Sequence, residues 1–209
     1  MVPDISPFIL FFASIFTSNI LLANFLGMCS FISVSKDYNS SNGLGMAVTF
    51  VLTITTAVNW LVYNYLLVPF ELEYLRYIVF IIVIAAVVQV LEMIIERVSM
   101  NLYMALGIFL PLITVNCAIL GVALFMQLRD YNFIQSIIFG FGSGLGWWLA
   151  IMSLAAIRKK TDRAPVPAGL KGPGITLITI GFMAIAFMGF SGMLAVQWGD
   201  NLWDLLQHH

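Results

Sequence analysis

At 209 residues, 61% of them hydrophobic and only 9% charged, the chain is far more apolar than a soluble domain, where about a quarter of residues carry charge. A mean hydropathy of +1.00 makes it an integral membrane protein with no polar stretch long enough for a soluble catalytic domain. The net charge of -1, with no interleaving of basic and aromatic residues, argues against nucleic acid as a partner. Histidine chemistry is excluded too, since the only two histidines are His208 and His209 at the end of the chain.

A bilayer core of about 30 Å needs about 20 apolar residues in helical form. Six stretches meet that length: Pro7 to Val34, Leu44 to Leu67, Tyr77 to Ile95, Leu102 to Met126, Phe133 to Ile157 and Ile175 to Val196. The predicted fold is therefore an all-α integral membrane protein of six transmembrane helices. The first Lys or Arg is Lys36, so the first stretch reads as a retained span rather than a cleaved signal. It is long and contains Asn19, Asn24, Gly27 and Cys29. The second opens on Gly43-Leu44-Gly45 and contains Asn59 and Asn64; the third contains Gln89 and Glu92, with Glu96 one turn later. Pro111 and Asn116 interrupt the fourth just before Cys117, and the fifth contains Gly140-Phe-Gly-Ser-Gly-Leu-Gly146. Lys159 to Pro173, rich in Pro and Gly, is the one polar linker of any length, and residues 197–209 form a tail.

An even number of spans puts both termini on one side of the membrane. One face then receives Lys36, Arg97, Arg158, Lys159, Lys160, Arg163 and Lys171, the other only Arg76 and Arg129. By the positive-inside rule the first face, with the loop 158–173, is cytoplasmic, and the termini are periplasmic. Division near Met100 gives three spans and three spans, and an odd number per half forces opposite orientations. The expected architecture is one membrane domain, 1–209, built from two inverted repeats at about 1–100 and 101–196.

Each half has its cysteine in its first span. Two thiols are half of the four that iron-sulfur clusters and closed zinc sites usually take, so a partner must supply the rest. A free cysteine in a membrane helix is more commonly a small packing residue, and the residues alone leave both readings open. A redox centre at that depth would carry electrons across the membrane, which favours iron-sulfur over zinc. With a rise of about 1.5 Å per residue, straight helices would displace the two sulfurs roughly 12 and 4 Å to opposite sides of the midplane. A shared site therefore requires the first helix of each half to be broken near its Cys, at Gly27 and at Pro111 with Asn116.

Glu92 is an intramembrane carboxylate and hence a candidate ion station; Glu96 reads as an interfacial group snorkelling to water. The glycine run opens an apolar span and follows no soluble strand, so its spacing indicates close helix packing rather than a nucleotide loop. The buried amides tie helices together or line an ion path.

Several segments go further: Asn24-Phe-Leu-Gly-Met-Cys29, Gln89-Val-Leu-Glu92-Met-Ile, Leu106 to Ile119 around Cys117, Arg129-Asp-Tyr-Asn-Phe133, Gly140 to Trp147, Val166 to Leu170, and Phe187 to Gly192. Over nearly the whole chain they resemble the family of E subunits of the Na+-translocating NADH:quinone oxidoreductase, with the A subunit of the Rnf complex as nearest cousin. The segments 129–133 and 140–147 are similar to the first rather than the second. The resemblance implies a membrane electron-relay component of a redox-driven sodium pump in the bacterial inner membrane, not catalytic alone. It implies a 2Fe-2S cluster shared with a homologous, oppositely oriented D subunit, with Cys29 and Cys117 as this chain's ligands and Glu92 at a position tied to ion handling. Flavins, NADH and ubiquinone would be bound by other members of a six-subunit complex. The alternatives are the A subunit of an Rnf-type ferredoxin:NAD+ oxidoreductase, a small secondary ion transporter with incidental cysteines, and an assembly scaffold.

Overall fold

The computed structural model describes residues 6–70, 72–98, 110–165, 167, 169 and 172–190, and every regular element among them is helical. Three helical stretches are long and apolar enough to cross a membrane: Tyr38–Leu67, Arg76–Ile94 and Phe133–Thr161. They correspond to the expected second, third and fifth spans. The stretches expected as the first and fourth spans are each divided. Of the sixth, Pro173–Met188 is helical. The start of span four at 102–109, the end of span six at 191–196, the linker residues Val166 and Leu170, and the tail 197–209 lie outside the described residues.

Helix α1, Pro7–Ile15, starts on a proline whose missing N–H costs nothing in a first turn. Non-helical chain follows as far as Gly27, and α2 covers Met28–Val34. Helix α3, Tyr38–Val62, begins six residues before the expected Leu44. Hydropathy placed that boundary, whereas local capping decides it: the Asp37 carboxylate accepts from the Ser40 backbone N–H at 2.9 Å and from its hydroxyl at 2.7 Å, so the polar segment Asn39 to Gly43 is helical. A π-helical turn, Tyr63–Leu67, extends α3. After a 3-10 turn at Glu73–Leu75, α4 spans Arg76–Val98. Its described buried residues Phe80, Ile84 and Val88 recur every fourth position, while Ile78, Ile81, Ile82, Val90, Met93 and Ile94 face outward. One narrow stripe packs inward and an aliphatic surface is left for lipid.

The second half opens with α5, Leu110–Thr114, and α6, Cys117–Leu128, separated by Val115 and Asn116. Helix α7, Phe133–Thr161, follows a capping box between Asn132 and Gln135, and α8 is Pro173–Met188. The order of broken helix, long helix and further helix thus occurs twice along the chain.

Helices α3 and α7 form the most extensive pairing, and the glycine run of α7 makes it possible. A Cβ at Gly140 would meet Thr56 Oγ1 at 2.7 Å, and one at Gly144 would meet Thr49 Cα at 2.7 Å. The two helices are therefore antiparallel. The alternate glycines serve α1: Gly142 lies against Ser14, and Gly146 lies against the Ile15 carbonyl and the Asn19 amide. Packing on two faces is the role expected from the small-xxx-small spacing. The threonine hydroxyls of α3 are spent on their own helix, Thr49 donating to Gly45 O, Thr55 to Val51 O and Thr56 to Leu52 O. Asn59 is an exception, fully buried with neither amide atom hydrogen-bonded among the described residues.

Gly144→Ala forces its methyl against the Thr49 backbone, which cannot rotate away, and should cost about 1–3 kcal/mol as an overpacked contact. Gly169→Ala, where nothing among the described residues lies within 4 Å, should stay within about 0.5 kcal/mol of the parent. Thermal unfolding of the detergent-solubilised chain compares the two.

Candidate metal centre

The first break is organised by one fully buried amide. Asn19 Oδ1 accepts from the backbone N–H groups of Leu21 at 3.1 Å and Leu22 at 3.3 Å. Its Nδ2 donates to Ile15 O, at the end of α1, and to Gly146 O on α7, at 3.0 and 2.9 Å. One side chain thus satisfies three backbone groups of the break, at Ile15, Leu21 and Leu22, and ties them to the Gly146 carbonyl of α7. Phe25 and Gly27 have φ of 56° and 85°, and Gly27 in the left-handed region starts α2. Cys29 is the second residue of that helix.

At the second break Asn116 has the same duty. Its Oδ1 accepts from the Ala118 N–H at 3.0 Å, capping α6, and its Nδ2 donates to Ser30 Oγ at 3.4 Å. Ser30 in turn donates to Gly27 O at 3.1 Å. In the reverse direction the Gly27 N–H donates to Cys117 Sγ at 3.3 Å. The two breaks are therefore bonded to each other, and the sulfur of one cysteine rests on a backbone nitrogen two residues from the other. A site shared by both cysteines would require this approach, and the broken helices provide it. From this junction α2 runs toward the end of α7 near Arg158, and α6 runs toward the start of α7, where Trp60 and Phe133 lie with ring centroids 5.1 Å apart. The two cysteine-bearing helices thus leave one point in opposite directions.

Both thiols are exposed at the surface of the chain. The donor set suits iron: two soft ligands and a backbone N–H already directed at one sulfur. Among the described residues no three or more His, Cys, Asp and Glu come together. A complete four-thiolate site needs ligands beyond this chain. Glu92, half-buried in α4 three residues after the exposed Gln89, forms no part of the cysteine junction, and the side chain of Glu96 lies outside the described positions.

A family model of Rnf-Nqr subunits, membrane proteins, matches residues 8–194. The chain belongs to this Rnf-Nqr family. Proteins named as the E subunit of the Na(+)-translocating NADH-quinone reductase are similar to it: 55% identical in Proteus mirabilis, 57% in Photorhabdus laumondii and 56% in Serratia proteamaculans. Each comparison spans 190 residues, 88% of this chain and 96% of the relative.

Two basic residues shape this Rnf-Nqr chain in ways the sequence did not signal. Arg158 donates to Ile32 O at 2.9 Å and Ser35 Oγ at 2.7 Å, tying the end of α2 to α7. Arg129, in the loop after α6, places its guanidinium over the rings of Phe125 and Phe139 at 5.3 and 5.5 Å. Burial lowers its pKa to about 10, so it stays cationic at neutral pH, and burial pushes neighbouring Tyr131 up to about 12.

Asn19→Ala strands buried backbone groups that cost about 1–3 kcal/mol each when unmet. The expected loss is about 2–4 kcal/mol in total, whereas exposed Asn24→Ala should stay within about 0.5 kcal/mol. Denaturant unfolding in detergent, followed by tryptophan fluorescence, measures both.

Proposed function

We propose that this chain is the membrane electron-relay component of a sodium-pumping NADH:quinone reductase, in which Cys29 and Cys117 hold half of a 2Fe-2S cluster. A homologous D subunit supplies the other two thiolates, and flavins, NADH and ubiquinone are bound elsewhere in the complex. The observation that carries this reading is the contact at the two breaks, where the Gly27 N–H meets Cys117 Sγ at 3.3 Å and both thiols face outward. The relatives' names supply the reaction, and the outward thiols supply the reason for a partner. A cluster so held stores and releases single electrons at the depth of the bilayer.

The chain's own residues do the rest. Asn19 and Asn116 bond backbone groups at the breaks, Gly27 brings a donor to sulfur, and the apolar faces of α1, α3 and α7 exclude water. In our reading the two occurrences of broken helix, long helix and further helix are inverted repeats of a six-span inner-membrane protein. The loop 158–173 is cytoplasmic and the termini are periplasmic. The geometry supports this: Tyr38, Lys159, Lys160 and Arg163 line one shallow hollow at one end of the bundle, while Arg129 lies at the other. Glu92 is the ion-handling carboxylate, as its half-buried place within α4 favours.

Cys29→Ser and Cys117→Ser should each remove iron from the purified complex and abolish one electron paramagnetic resonance signal of the reduced state. Full iron and an unchanged spectrum would leave the cysteines as packing residues, the outcome for a transporter or a scaffold. Glu92→Gln should retain that signal while Na+-dependent quinone reduction slows several-fold; an unchanged Na+ dependence removes Glu92 from the ion route.

A further inference from the structure

Trp147 is fully buried, and its indole N–H has no hydrogen-bond partner among the described residues. An unmet donor at bilayer depth is costly, and a wholly apolar side chain would avoid it. Its position suggests why it is there. Nε1 lies 2.9 Å from the point where a Cβ on Gly27 would stand, with Asn116 Oδ1 at 2.8 Å and Ala118 Cβ at 3.1 Å from the same point. The indole is thus one wall of a slot that fits Gly27 and nothing larger. Phe31, whose N–H donates to Gly27 O at 3.2 Å, braces the ring from the next turn of α2, with centroids 6.4 Å apart and planes at 66°. At φ +85°, Gly27 has more conformational freedom than any other residue would have, and its N–H bonds a sulfur rather than a helical carbonyl. Steric walls therefore fix the direction of that N–H.

We infer that Trp147 is a positioning residue for the Cys117 sulfur: by closing the slot around Gly27 it holds the N–H···S hydrogen bond in place and sets the redox level of the centre that the thiolate binds. This rests on the reading of the two cysteines as iron ligands. Hydrogen bonds to ligand sulfur raise the reduction potential because they stabilise the more electron-rich reduced state. A loosened slot lowers it.

Trp148 provides the control. It is the next residue, but its ring packs on Gly45 and its Nε1 donates to Asn42 Oδ1 at 3.1 Å, away from the junction. In the intact complex, the signal that Cys117→Ser abolishes is titrated against potential in Trp147→Phe and Trp148→Phe. Trp147→Phe should keep its iron and shift the reduction equilibrium about tenfold toward the oxidised form, some 59 mV downward for one electron, while Trp148→Phe leaves the midpoint in place. An unmoved midpoint in Trp147→Phe, or equal shifts in both, overturns the inference. If Trp147→Phe fails to assemble, Phe31→Leu tests the same slot: a smaller downward shift supports the inference, and none overturns it. A signal that persists in Cys117→Ser identifies the cluster reading itself as the failure and takes this inference with it.

Discussion

Backbone at bilayer depth has no water to turn to, so every N–H and C=O released from a helix must find a partner within protein. That constraint governs this molecule. Two helices stop midway, and each stop is closed by an asparagine at its centre: Asn19 serves four groups around the first, and Asn116 caps the second. Neither closure is complete alone. Asn116 reaches Gly27 O through Ser30, and the Gly27 N–H finds Cys117. The thiols stand where they do because satisfying the backbone of one break requires the other.

Much of this was legible in the chain. Gly27 and Asn116 stand at the breaks themselves, whereas Pro111, expected to mark the second, lies inside α5, and the chain leaves the helix only at Val115 and Asn116. The four-residue spacing of Gly140 with Gly144 and of Gly142 with Gly146 showed two contact faces. Partnerships across large sequence distances were not legible. Nothing local in Asn19 selects the carbonyl of Gly146, and nothing in Arg158 selects Ile32, because those choices depend on how α7 lies across the bundle. The start of α3 was misplaced for a different reason. Hydropathy averages transfer energies over a window, whereas one carboxylate on Ser40 fixes a helix end.

The surroundings of the thiols are as informative as the thiols. Phe25 and Val115, which lie within the breaks, are 54% and 76% exposed, so the sulfurs open onto an apolar surface. A thiolate facing hydrocarbon would be an uncompensated charge. Charge at this position is tolerable only under a cover that brings compensation with it, and membership of a family whose members work within larger complexes offers such a cover.

The two-faced glycine run of α7 also governs how the molecule can move. Through Gly142 and Gly146 the helix holds α1, and through Gly140 and Gly144 it holds α3, at separations where even a methyl group collides. Contacts that close resist sliding, which couples α1 and α3 to each other through α7. Any displacement between the two sides of the bundle falls instead to α4 and α8, which present broad aliphatic surfaces outward. The rigid part of the protein is thus the part that carries Asn19 and Trp147, and the element that carries Glu92 lies on its yielding margin.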